Sequence, residues 1–339
     1  MSLFTLARWL GPWADAEKVP RVESTDDELG GVRVRIYGDP SREPSTRYLI
    51  GPGLHYAGPD DPRMDRFCRI LAAAGHHVVA PFIPAYLRLM PNATAKDDFL
   101  RVFDQAWPQH KVTVFSISFG SLLAFATAAE RSERIERLVV FGGYSDFHQT
   151  MKFCLTGEVP SGRQASRDPL NQPAVFMNFI EDLVHDRAHT DALLLMWLEY
   201  IKRVWGRAHF KVDRKFVEIA EALAPEVPES VRELYRIGTG VLPGAPELVL
   251  PAIARFDASA LDPTPYLARV TNRVDLVHGV DDDVIPFEQS HELAARLVNA
   301  DVRVHITGMY GHTGAQRLPI GTMARELVTM VRVLRVLAG

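Results

Sequence analysis

Residues 111–120, KVTVFSISFG, leave a folding chain little choice. An apolar, β-branched run meets an Ala/Leu-rich helical pattern with no linker between them, so a strand must turn sharply into a helix. Ser118 stands at the apex, with the small Ser116 two residues before it and Gly120 two residues after. Larger side chains at the flanking positions would collide with the strand and helix they join. Such a turn holds the Ser118 hydroxyl at the carboxyl end of a strand, beside a helix N-terminus whose N–H groups can face a developing negative charge. A [GS]-x-S-x-G string arises by chance in roughly one chain in five of this length, so its context carries the weight.

That context is an alternation. Residues 32–37, VRVRIY, alternate as a half-exposed strand near a sheet edge, and 47–51, RYLIG, read as the next strand. A helix is predicted over 62–74, a buried strand over 76–80, and an amphipathic helix over 93–107 with Asn92 or Thr94 as its cap. Strand 111–117, helix 119–131 and strand 137–142 follow. Near-continuous apolar strands alternating with helices imply a mostly parallel sheet covered on both faces. Ligands in such sheets bind beyond the carboxyl ends of the strands.

Two further chemical groups follow strands downstream. Residues 273–279, RVDLVHG, run into Asp281, Asp282 and Asp283, and an acid just past a strand end can reach a neighbouring strand's loop. Residues 301–308, DVRVHITG, run into Met309-Tyr310-Gly311-His312, where a histidine in a glycine-flanked loop can serve a serine hydroxyl as general base. The chain order is Ser, Asp, His, each after a strand.

From about residue 30 to its end the chain resembles the α/β-hydrolase superfamily. The resemblance implies an α/β fold, with a mostly parallel central sheet, helices on both faces and an inserted, mainly helical cap. It puts the nucleophile at Ser118 and the base at His312. The spacing G-x-x-D-x-x-x-P over Gly279–Pro286 puts the acid at Asp282, leaving Asp281 and Asp283 solvated or capping the next helix. The other histidines suit the base less well, His278 and His305 being on strands and His185 and His189 in the helical insertion. The oxyanion donors implied are the backbone N–H groups of Phe119 and Leu54. The family often has His-Gly where this chain has Pro52-Gly53, and only the Leu54 N–H is required there. His55 and Tyr56 either line the mouth of the site or pack the loop.

The alternation stops at Tyr144 and resumes near Arg273. A core of 1–143 and 273–339 with an inserted cap of 144–272 is expected. Helical patterns are predicted over 175–187, 191–207 and 212–223, with Pro-rich connections over 225–251 and a terminal helix over 313–338. Met151, Phe153, Met177, Phe179, Met196, Trp197, Tyr200 and Trp205 either pack the cap's own helices or face a partly hydrophobic substrate.

Composition narrows the remaining classes. With 38 basic and 42 acidic residues interspersed over 339 positions, the net charge of −4 suggests no nucleic-acid partner. The two cysteines, Cys68 and Cys154, read as buried thiols, favouring a reducing compartment. No run has the length of a transmembrane helix, and the start lacks a signal-peptide pattern, so a cytoplasmic protein is expected. Leu3, Phe4, Leu6, Trp9 and Leu10 form one face of a short helix expected to pack on the body, the alternative being a membrane anchor. No metal-ligand spacing and no dinucleotide or phosphate-loop motif occurs, and no cofactor is expected. The reading is a serine hydrolase acting on a small-molecule acyl substrate, an ester before a thioester or amide. Acyl transfer on the same residues, or a non-catalytic binding member of the fold, are the alternatives; the oligomeric state is open.

Overall fold

The computed structural model describes residues 2–11, 14–308, 310–311, 314–315 and 323–339. Its elements begin with α1 (Ser2–Leu10), β1 (Ser24–Leu29), β2 (Val32–Tyr37), β3 (Arg47–Gly51), α2 (Pro62–Ala73), β4 (His77–Pro81) and α3 (Pro84–Leu87). Next come α4 (Thr94–Gln105), β5 (Val112–Ile117), α5 (Gly120–Arg131) and β6 (Ile135–Phe141). A helical stretch holds α6 (Phe147–Thr156), α7 (Gln172–Asn178), α8 (Ile180–Leu183), α9 (Arg187–Val204), α10 (Phe216–Leu223), α11 (Arg232–Gly238) and α12 (Ala245–Arg255). The chain ends with α13 (Thr264–Leu267), β7 (Arg273–Gly279), α14 (Glu288–Arg296), β8 (Asp301–Thr307), the short β9 (Tyr310–Gly311) and β10 (Gly314–Ala315), and α15 (Met323–Ala338). Two compact units result, one of Met1–Ser145, Leu261–Asp281 and Phe287–Gly339, the other of Asp146–Ala260 and Asp282–Pro286.

The first unit is built on an eight-stranded sheet in the order β1-β2-β4-β3-β5-β6-β7-β8. β1, β2 and β4 pair antiparallel, and every pairing from β4 through β3 to β8 is parallel. The parallel strands β3, β5 and β7 are buried on both faces, which is why their sequences are largely apolar runs rather than alternating ones. On one face Leu6, Cys68, Ile70, Leu71, Met330, Val333 and Leu334 of α1, α2 and α15 pack against Tyr48, Ile50, Val139 and Val277 of the sheet. On the other, α5 packs against β3, β5 and β6, and α4, α13 and α14 flank it. Residues Gly120–Ala128 of α5 are all buried, which its small side chains permit. This is the α/β-hydrolase architecture that the sequence resemblance implies.

β1 was not expected; it forms the edge, and β2 lies near the edge as read, second in the sheet. The sequence Ser-Thr-Asp-Asp-Glu-Leu carries no apolar pattern because β1 is itself an exposed, charged edge, a composition that discourages pairing with other chains. It is fixed by a two-residue turn at Gly30-Gly31, both left-handed at φ 61° and 77°, and by Asp26, which pairs with Arg33 and Arg35 across the hairpin. α1 packs as expected through Leu6, Trp9 and Leu10, while Phe4 stays exposed. Cys68 and Cys154 are free, buried thiols. α15 runs over Met323–Ala338, and most of the earlier part of the helix predicted over 313–338 lies outside the described residues.

The second unit is helical and narrower in sequence than the expected 144–272, and it takes in Asp282–Pro286. Most of the large side chains singled out in the insertion are buried, with Phe153, Trp197 and Tyr200 at 0 % exposure. The helix predicted over 175–187 breaks at Phe179 into α7 and α8; the Asn178 side-chain amide donates to the Ala174 carbonyl at 2.7 Å and competes with the helical ladder there. The stretch 225–251, expected as connections, contains α11 and most of α12. Pro246 sits in the first turn of α12, where its missing N–H costs nothing.

Candidate active site

Strand β5 ends at Ile117 and α5 begins at Gly120, so Ser118 and Phe119 make the whole turn. Its φ of 53° lies in the left-handed region, which costs a non-glycine residue about 1–3 kcal/mol and is held only where the surroundings over-determine it. Here they do. The Ser118 N–H donates to the Phe141 carbonyl at the end of β6 (2.9 Å), and the Ser118 carbonyl accepts from the Ser121 N–H (3.0 Å). The side chain is buried, at 5 % exposure.

The close packing around the turn explains its small residues. A Cβ added at Gly120 would lie 2.1 Å from the Gly51 carbonyl oxygen and 2.6 Å from that of Pro52, so α5 starts in backbone contact with the end of β3. A Cβ at Gly53 would stand 3.4 Å from Ser118 Cβ, which brings the loop carrying Leu54 directly against the serine. Ser116 occupies the position where the family pattern has glycine. Its register partner across β3 and β5 is Gly51, which supplies the room, but the Ser116 hydroxyl is fully buried without a hydrogen bond among the described residues.

The electrostatics at the turn favour negative charge. The first turn of α5 holds no acidic residue and no side-chain cap, so the helix itself carries no charge that offsets its positive end beside Ser118. Phe119 is fixed from both sides: the Tyr86 hydroxyl donates to its carbonyl (3.0 Å), and its ring packs on Tyr144 with centroids 4.9 Å apart. Leu54 is half-buried. His55 stacks on Tyr56 (4.6 Å), accepts the Ala57 N–H at Nδ1 (3.2 Å) and approaches Asp61 through Nε2 (3.1 Å). Burial pushes the His55 pKa down against the pull of Asp61, so the ring is a neutral brace for the loop. Asp61 in turn caps α2 through Arg63 and Met64 N–H groups.

In the second unit, Asp282 is 6 % exposed and its Oδ1 accepts the N–H groups of Val284 and Ile285, both at 2.9 Å. Asp281 is exposed. Asp283 is neither simply solvated nor a cap, since α14 begins at Glu288, after Phe287, without a side-chain cap. Instead Lys211 Nζ bridges Asp283 Oδ2 and Asp168 Oδ2, each at 2.7 Å. The Asp168 N–H donates to the Asp283 carbonyl (2.7 Å), and Cys154 Sγ donates to that of Val284 (3.5 Å). Burial raises the pKa of Asp168 despite Lys211, with Asp283 adding to the rise. Sequence reasoning missed Asp168 and Lys211, which lie far from residue 282 in the chain and carry no local motif.

His312 lies outside the described residues. Of the other histidines named from the sequence, His278 Nδ1 is 2.7 Å from the Ser290 hydroxyl and His305 Nε2 is 3.1 Å from Asp275. Among the described residues no three His, Cys, Asp or Glu side chains gather as a metal site, and no helix is long and apolar enough to cross a membrane.

No protein-family model and no curated protein matches this sequence. Solved structures similar to it include a serine hydrolase from the polyaromatic-hydrocarbon-degrading bacterium Cycloclasticus zankles, at 14 % identity and TM-score 0.48 over 92 % of this chain and 98 % of that one. Another is the 2-hydroxy-6-oxo-6-phenylhexa-2,4-dienoate hydrolase of a Rhodococcus strain, at 17 % identity and TM-score 0.46 over 92 % and 100 %. A third is the Pyrococcus horikoshii acylaminoacyl peptidase, at 11 % identity and TM-score 0.49, of which this chain spans 41 % while 95 % of its own length is covered. The fold assignment itself rests on the sheet order and the turn at Ser118.

Proposed function

We propose that this protein is a serine hydrolase that cleaves a carboxylic ester of a small, partly hydrophobic molecule through an acyl-enzyme on Ser118. The observation that carries the reading is the left-handed backbone of Ser118 between a buried strand and a helix whose first turn holds no acid. Strain of this kind gathers at functional sites, where the placement of one side chain is what the fold must secure.

In the proposed reaction Ser118 Oγ attacks the ester carbonyl carbon while His312 accepts the hydroxyl proton. Asp282 orients the imidazole and stabilises its charged form. The N–H groups of Phe119 and Leu54 hold the oxyanion; support comes from the docking of Gly53 against Ser118 and of Gly120 against Gly51. The imidazolium returns the proton to the leaving alcohol as the carbon–oxygen bond breaks, and water, deprotonated by His312, then releases the acid and restores the serine. The roles of His312 and Asp282 rest on chain order and spacing.

A series of p-nitrophenyl esters of increasing acyl length tests the proposal. Turnover that saturates with substrate and falls by at least about a thousandfold in Ser118→Ala is expected. Saturable ester binding with no turnover would instead make the protein a binding module.

A further inference from the structure

A second feature of the first unit lies at the other end of the sheet. An open cavity of about 620 Å³ is lined by Arg137 of β6, Arg273 of β7, Arg303 of β8, and Arg332 and Arg335 of α15. Strand register explains how they meet. Arg137 pairs with Arg273, and Arg303 pairs with Asp275, two residues further along β7, so all three arginines project from the same face of the sheet. Further along, that face is apolar and packed under α15. Arg137 lies four residues before Phe141, whose carbonyl accepts the Ser118 N–H, about 13 Å away along the strand.

The pairing inside the cavity accounts for only part of this charge. Asp275, fully buried, takes Arg273 (3.0 Å) and His305 (3.1 Å), and Asp301 stands 3.5 Å from the exposed Arg303. Arg335 lies in the last turn of α15, where a cation is favourable. Arg137 is different. Its side chain is 6 % exposed and lies beside the Tyr48 hydroxyl, and its buried Nε–H donates to no group among the described residues. The neutral Tyr48 hydroxyl meets this guanidinium on one side, and leaving its buried Nε–H without an acceptor is costly unless something anionic supplies one.

We propose that this arginine-lined cavity, remote from Ser118, binds a phosphorylated small molecule through its phosphate or diphosphate group. Planar guanidinium forks match phosphate oxygens in pairs, and a multiply charged anion balances what a single carboxylate would not. The volume suits a small molecule attached to that group.

The test is calorimetric titration of the full-length protein with sodium pyrophosphate and with inorganic phosphate at fixed ionic strength, alongside thermal melts. Saturable 1:1 binding is expected, tighter for pyrophosphate, with a rise in Tm that sodium chloride of equal ionic strength does not reproduce. Arg137→Gln and the exposed double variant Arg303→Gln/Arg332→Gln should each weaken binding by at least roughly tenfold, while Arg203→Gln on α9 leaves it unchanged. If Arg137→Gln fails to fold, the double variant still decides. The proposal is overturned by no saturable binding, by binding equal in all variants, or by a short DNA duplex binding more tightly than pyrophosphate. None of these outcomes touches the assignment of Ser118.

Discussion

Gly120→Ala is the sharpest structural test of the turn. Within a helix this change normally stabilises by about 1 kcal/mol. Here the new Cβ would stand 2.1 Å from the Gly51 oxygen and 2.6 Å from both the Gly51 carbon and the Pro52 oxygen. All three are backbone atoms, so no side chain can rotate away, and α5 must part from β3 by about 1 Å to reach ordinary contact. Both elements are buried, and overpacking of this kind costs upward of about 3 kcal/mol. The net loss is about 2–3 kcal/mol after the helix gain, a fall in Tm of roughly 5–10 °C for a unit of this size. The same displacement shifts the Phe119 N–H against Ser118, and misplacement by 1 Å costs on the order of a hundredfold in rate. Differential scanning calorimetry and ester turnover measure both. Gly53→Ala, whose closest contacts are 3.3 and 3.4 Å, should cost less stability than Gly120→Ala. An unchanged or raised Tm in Gly120→Ala would refute the backbone-contact reasoning.

Ser116→Ala removes a buried, unbonded hydroxyl and should stabilise by about 1 kcal/mol, raising Tm by roughly 2–4 °C in a thermal melt. His76, 1 % exposed against Tyr48, has its pKa pushed down from 6.5 to about 4, chiefly by burial and further by Arg137. Between those values the unfolded chain binds the extra proton, so this contribution is complete above pH 6.5 and is lost as pH falls toward 4, by up to roughly 3 kcal/mol. His76→Phe should flatten the pH dependence of denaturant-derived stability across that window. Lys211→Met leaves Asp168 and Asp283 facing each other and should cost about 3 kcal/mol near neutral pH. Because the pKa of Asp168 is already raised, protonation should relieve that deficit, and urea melts should show it shrinking as the pH is lowered.

Much of the sheet was legible because buried parallel strands such as VTVFSI and RVDLVHG must be apolar throughout. β1 was illegible for the converse reason: an exposed edge strand of Asp and Glu carries no pattern, and only the Gly30-Gly31 turn signalled it. In the second unit the prolines read as breaks, although a proline in a first turn is compatible with a helix. The turn at Ser118 was legible because its constraints are local. The Asp168–Lys211–Asp283 bridge and the arginine cavity were not, since each gathers single charged residues from distant segments that pattern alone cannot bring together.

The central claim is that Ser118 is the nucleophile. The protein is treated with a fluorophosphonate, and the site of modification is read by peptide mass spectrometry. A single adduct on Ser118, absent from Ser118→Ala, is the result expected. An adduct on Ser116, labelling that persists in Ser118→Ala, or no labelling of a folded protein that turns over esters would contradict it.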